Sequence, residues 1–293
     1  MRSGADALTL ADKTLALVRG ADQAQVDVTL SDASYARFAG NYVPENLNGY
    51  EVDVNIVYVK DKRIGRVTTN DQTDAGLRAA VASAADIASR VPANHEFVSL
   101  PPKAAIAAPV KSVYASTASA TADDRVRKLL PVFDRMQRSQ LSSSGFTTTQ
   151  YGVYAVVNSL GVRAAFESTY GGIEIKAMAP QTSGFAEYFS RDYATLDSSE
   201  RADLAASKAT VSRTPEDFPP GTYTVILEPP AFVDCLNNLY GLMDAGSVLE
   251  DQNSWMAGRM GKPVFSPNVT IRDDWSDPLV AGQPFSADGS PTQ

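Results

Sequence analysis

The chain has little of what most catalytic and membrane-borne proteins rely on. Among 293 residues there is one histidine, His95, one cysteine, Cys235, and two tryptophans. A single cysteine excludes an internal disulfide. A single histidine excludes any metal site built on two imidazoles, and leaves only His95 for Ser-His-Asp chemistry. Basic residues are also in the minority, 26 Lys and Arg against 34 Asp and Glu, for a formal net charge of −8. Phosphate-backbone binding needs clustered Lys and Arg, so nucleic acid is not an expected partner. No apolar run approaches the ~18 residues of a membrane span. The opening "MRSGADALTLADK" lacks the apolar core of a signal peptide, so a reducing cytoplasm and no membrane are expected. There is no Gly-x-Ser-x-Gly elbow and no nucleotide-type Gly-x-Gly-x-x-Gly, and "GRMGKP" lacks the spacing and hydroxyl of a P-loop.

What is present is periodicity. The hydrophobic content of 44% supports a sizeable core, and the length suggests two or more units. Leu8, Leu10, Ala11, Leu15 and Val18 fit one helical face, and "QVDVTLSD" then alternates as a strand. "YEVDVNIVYVKDKRIGRVTTND" reads as two strands joined at Lys60 to Lys62, followed by helical spacing in "DAGLRAAVASAADIASRV". These segments predict an N-terminal α+β domain over residues 1–110. "PANHEFVSLPPKAAIAAPVKS" is an extended, Pro- and Ala-rich connection. "TADDRVRKLLPVFDRMQRSQL" opens with a capping-box pair, Thr121 and Asp124, although Pro131 argues against an unbroken helix. "GFTTTQYGVYAVVNSLGVRAAFESTYGGIEIKAMA" reads as three or four antiparallel strands punctuated at Gly152, at Asn158 to Gly161 and at Gly171-Gly172. With the helix "SSERADLAASKATVSR", this gives a middle helix-plus-meander domain over residues 115–215. The strand "YTVILEP" and the helix "AFVDCLNNLYGLMD" would begin a β-rich C-terminal domain, incomplete in this chain, over residues 220–293. The fold class is α+β, with no internal sequence repeat.

Five stretches, "RFAGNYVPENLNG", "KRIGRVTTND", "VVNSLGV", "SGFAEYFSRD" and "PPGTYTVILEPPA", resemble landmarks of the TldD/PmbA family and occur in family order. "GKPVFSPNVTIRDDWSDP" and "QPFSADGSPTQ" resemble the stretch after the family's C-terminal helix. That family is known as zinc metallopeptidases, historically called modulators of DNA gyrase. The resemblance implies a metallopeptidase-like domain and a role in peptide processing. In the family's catalytic branch the helix carries His-Glu-x-x-x-His, two zinc ligands with a glutamate as base. Aligning Tyr240-Gly241-Leu242 with the motif's end places Asn237 and Asn238 at His-Glu and Leu242 at the second His. Asn cannot take a proton from water and Leu has no donor atom. The family's third zinc ligand, a cysteine, lies in a β-rich portion beyond the point matching Gln293, so the chain is expected to be a C-terminally truncated form.

The resemblance therefore implies a zinc-less TldE/PmbA-type subunit, with no catalytic residue and no cofactor of its own. Zinc is expected in a TldD-like partner subunit, and unfolded peptide is the expected substrate. The alternative is a stand-alone peptide-binding or scaffold protein, a homodimer without proteolytic activity; a third reading is a degenerate fragment without function. Arg37, Asn41 and Asn46 are candidates for holding peptide, evenly balanced against capping of a strand end. "HEFVSLPP" at His95 reads as a surface loop, Cys235 as a small buried residue rather than a metal ligand with Asp234, and Asp273, Asp274 and Asp277 as a solvated turn rather than a cation site.

Overall fold

The computed structural model describes residues 3–211, 216–241, 243–244, 246–250 and 254–292. The Ser3 hydroxyl accepts from the Asp6 amide and starts helix α1, Gly4–Leu15. Strand β1, Gln23–Ala39, turns at Gly40 and Asn41 into β2, Tyr42–Lys60, which turns at Asp61 and Lys62 into β3, Arg63–Thr69. All four turn residues have positive φ, 59° and 64° in the first pair and 49° and 60° in the second. Two left-handed residues in sequence match the right-handed twist of a tight hairpin. Helix α2, Asp74–Arg90, follows under a Thr73 cap. After a long extended connection come the single turn α3, Ala115–Ala118, and helix α4, Ala122–Arg138. Strands β4, Ser142–Asn158, β5, Arg163–Ala179, and β6, Thr182–Ser190, precede α5, Ser198–Val211.

The six strands form one antiparallel sheet in the order β3-β2-β1-β4-β5-β6. Its centre is the β1–β4 pair, with Asp32 opposite Tyr151. On either side lies the same series of elements: a helix, three strands and a helix. Residues alternate between faces along a strand, and the even positions of β1 point toward the helices in both halves. Val26, Val28 and Leu30 join a core with α1 and α2, while Ala36 and Phe38 join a second core with α4 and α5. The duplication is one of architecture, carried by periodicity and turns, which is why no sequence repeat accompanies it.

The α+β class stands as expected, with three differences in detail. The boundary drawn near residue 110 does not divide the sheet. Residues 1–215 with 274–293 make one compact unit and residues 216–273 a second. Each expected half supplies three strands and two helices, but β1 is hydrogen-bonded to β4 along almost its whole length, so neither half ends at an edge. Second, Gly152, Gly171 and Gly172 lie inside long strands rather than between short ones. At Gly172 a Cβ would stand 2.0 Å from the Tyr188 carbonyl oxygen, so glycine there admits a close backbone neighbour rather than a turn. Third, α4 continues through Pro131. Its capping box is complete and Leu129, Val132 and Met136 are buried, and that burial outweighs one lost ladder bond.

In the second unit the only long helix among the described residues is α6, Pro229–Tyr240. Pro229 and Pro230 occupy the first helical positions, where the missing N–H would have had no partner. The expected strand "YTVILEP" forms no ladder: residues 222–228 pair with no strand among the described residues, and Val225 and Ile226 are exposed. A strand exists only with a partner.

Candidate functional site

Helix α6 carries the positions at which the family resemblance would put a metal motif. None of its residues is buried. Cys235 is exposed rather than packed, because among the described residues of its unit nothing covers the helix. Asn237 is exposed, and the Asn238 side-chain amide donates to the Asp234 carbonyl one turn earlier, at 2.8 Å. The helix stops at Tyr240 with Gly241 as its C-cap, and the Trp255 indole N–H donates to the Leu239 carbonyl at 3.0 Å. Leu242 lies outside the described residues. Zinc of the peptidase kind needs imidazole, thiolate or carboxylate donors converging on one point. The side chains at 237 and 238 are neutral amides, and no group of three His, Cys, Asp or Glu able to hold a metal occurs among the described residues. The donor set on α6 does not fit zinc.

Arg37, Asn41 and Asn46 all belong to the β1–β2 hairpin but do not converge. Arg37 faces away from the helices, pairs with Glu45 across the hairpin at 3.5 Å, and lines a groove of about 590 Å³ with Phe146 and Glu174. Asn46 pairs with Ala36, one position along, so strand alternation sends it to the other face. Asn41 occupies the left-handed turn, where it donates to the Leu141 carbonyl at 3.0 Å and accepts from the Ser143 hydroxyl at 2.7 Å. It ties the hairpin to the start of β4. His95 sits in an exposed turn, with the Asn94 side chain accepting from the Glu96 amide. Asp274 accepts from the Ser276 amide and Asp277 from the Leu279 amide, local turns of the kind expected.

A polar constellation on β1, β2 and β3 was not anticipated. On the sheet face away from the helices, Asp27 is 8% and Gln25 6% exposed. Asn55 on β2 donates to Asp27 at 2.9 Å, and Gln25 donates to it weakly at 3.4 Å. Thr68 on β3 donates in turn to Asn55. The Tyr154 hydroxyl donates to the Ala287 carbonyl at 2.5 Å. Burial pushes the Asp27 carboxyl above its ordinary value, opposed by the two amide donors and by nearby Arg66. These residues line a cavity of about 650 Å³. The signal was present as the polar positions of "QVDVTLSD". An alternating strand ordinarily turns its polar side to water, and the segments that cover it, around Ser99 to Pro101 and at Ala287 to Asp288, are remote in sequence.

A six-stranded antiparallel sheet with its helices on one face is followed by a second unit that carries α6. Residues 220–293 match the family model of the PmbA/TldA metallopeptidase C-terminal domain. The fold resembles that of a proposed modulator of a DNA gyrase from Thermotoga maritima, with a TM-score of 0.84 and 18% identity over 97% of this chain and 67% of that one. It also resembles TldE from Thermococcus kodakarensis, with a TM-score of 0.77 and 19% identity over 99% of this chain and 66% of that one. A proposed modulator of DNA gyrase from Bacteroides thetaiotaomicron gives 0.83 and 16%, over 97% and 68%. The chain thus spans about two thirds of the length of these structures. No protein of curated function matches it. The C-terminal quarter of the chain thus matches the PmbA/TldA family model, and the fold of the chain is that of these structures.

Proposed function

We propose that the chain is a non-catalytic, TldE/PmbA-like subunit of a cytoplasmic zinc metallopeptidase complex that cleaves unfolded peptides. The observation that carries this reading is the chemistry of α6: Asn237 and Asn238 stand where the resemblance calls for His and Glu, in a chain with one histidine. A TldD-like partner would bring the zinc and the base, while this chain would complete the enclosure around the substrate. That no helix among the described residues is long and apolar enough to cross a membrane is compatible with such a complex.

The test is reconstitution. A TldD-like subunit bearing His-Glu-x-x-x-His, mixed with this chain, should form a complex on size exclusion and cleave an unfolded peptide faster than the partner alone, while this chain alone is inactive. Absence of both complex and stimulation would favour the second reading, a homodimeric peptide-binding protein. That reading draws support from the groove beside Arg37.

A further inference from the structure

The cavity over β1, β2 and β3 sets two carboxylates, Asp27 and Asp288, against one guanidinium, Arg66. Its volume of about 650 Å³ lies within the range of small-ligand pockets. Among the described residues Asp27 has no ion-pair partner within 4 Å, and the two groups that donate to it are neutral amides. The Gln25 side-chain oxygen is buried without a hydrogen-bond partner among the described residues, although Gln25 lines the cavity. Buried polar groups are nearly always paired, so an orphan acceptor of this kind calls for an explanation. Asp288 adds a second carboxylate at the rim, and Arg66 is the one cation among the described lining residues. That lining therefore carries a net negative charge. An ammonium group, with three donors and a positive charge, is what such a set lacks.

We infer that this cavity binds a primary ammonium group carried by a peptide or a small amine, with Asp27 as counter-ion and the Gln25 side-chain oxygen as a further acceptor. The site lies wholly in the unit of residues 1–215 with 274–293. It requires no partner and is independent of the subunit reading.

Asp27 also behaves as a group kept at the expense of stability. Its pKa is raised in the folded state by burial, so the folded chain binds the proton more tightly than the unfolded one. Stability from this group is present at low pH and is lost as pH rises through the folded pKa. The charged or titratable groups facing it are Arg66 from β3, Tyr154 from β4 and Asp288 from the C-terminal loop. Asp27→Asn removes the charge with little change of shape. The amide oxygen introduced at this position can still accept from Asn55. The variant should fold and melt at or above the wild-type temperature at pH 7.

The experiment titrates three probes into the full chain by calorimetry at pH 7: Ala-Ala-Ala with a free N-terminus, its N-acetylated form, and Nα-acetyl-lysine N-methylamide. Binding of an ammonium-bearing probe with at least about 10-fold loss both on acetylation and in Asp27→Asn is expected, the scale of a charge-assisted hydrogen bond. Preference for Ala-Ala-Ala assigns the site to a peptide N-terminus, and preference for the lysine derivative assigns it to a side chain. In the wild-type chain the NMR-monitored titration of the Asp27 carboxyl should move to lower pH on binding. Three results would overturn the inference: no saturable binding of either ammonium probe at millimolar concentration, equal binding of the acetylated tripeptide, or undiminished binding by Asp27→Asn.

Discussion

Gly65→Val and Gly184→Val should each destabilise the sheet unit severely, by about 3 kcal/mol or more. The two glycines hold equivalent places, one on each outer strand, and each lies against the helix that closes its half. A Cβ on Gly65 would stand 1.9 Å from the Ala84 carbonyl oxygen and 2.8 Å from the Ala88 nitrogen of α2. A Cβ on Gly184 would stand 2.0 Å from the Ala205 oxygen and 2.6 Å from the Ala209 nitrogen of α5. In both cases the obstruction is backbone within a helix, so no rotamer change relieves it. The helix must move off the sheet, and the burial of Leu77, Ala84 and Ala88 in one half, or of Ala202, Ala205 and Ala209 in the other, is weakened with it. A loss of this size corresponds to a fall in melting temperature of roughly 6–12 °C for a unit this large. Gly152→Ala is the control, because the nearest atom to its new Cβ would be 3.8 Å away. Differential scanning calorimetry should find Gly152→Ala near wild type and both valine variants far below it. Equal melting of all three would show that the close strand–helix approach does not exist.

Arg125→Ala is expected to lose a similar amount, about 3 kcal/mol in chemical denaturation. Arg125 on α4 is 1% exposed, yet it has no acidic ion-pair partner among the described residues. Its guanidinium donates to the Thr149 hydroxyl at 3.0 Å, the Asn48 side-chain oxygen at 3.1 Å and the Ala120 carbonyl at 3.3 Å. Burial lowers its pKa from the ordinary arginine value. Truncation would leave those acceptors to find new donors and would open a void. Lysine should not rescue it, since a single ammonium cannot reproduce the planar fork that spans the three oxygens. A midpoint for Arg125→Lys matching wild type would contradict this assignment, as would an Arg125→Ala variant within about 0.5 kcal/mol of it.

Much of the fold was legible because its elements announce themselves locally. The helix in "DAGLRAAVASAADIASRV" follows from its apolar spacing, and the turn at Asp61 and Lys62 separates two clear alternations. The hairpin arms were harder to read. Residues 42–49 of β2 include Pro44, Asn46, Asn48 and Gly49, and the ladder to β3 begins only at Val54. Among the described residues that stretch has one free edge, where a missing N–H does no harm. Nothing local marks it as strand, and its pairing with β1 supplies the order. The joining of the two halves was illegible for the same reason, since the β1–β4 ladder links residues remote from one another in the chain.

The candidate site divides similarly. That these 293 residues hold no motif of two histidines could be read directly, because histidine is countable. The convergence of Gln25, Asp27, Asn55 and Tyr154 under remote loops could not, because only the folded chain brings them together. Arg37, Asn41 and Asn46 show the converse. They are close in sequence, yet a positive-φ turn and strand alternation assign them to separate tasks.

The central claim is that this chain carries no catalytic zinc. The most direct measurement is elemental analysis of the purified chain after brief chelation, alongside an unfolded-peptide cleavage assay on the same sample. Zinc far below one per chain and no cleavage are expected. One zinc per chain surviving chelation, together with cleavage that a stronger chelator abolishes, would contradict the claim.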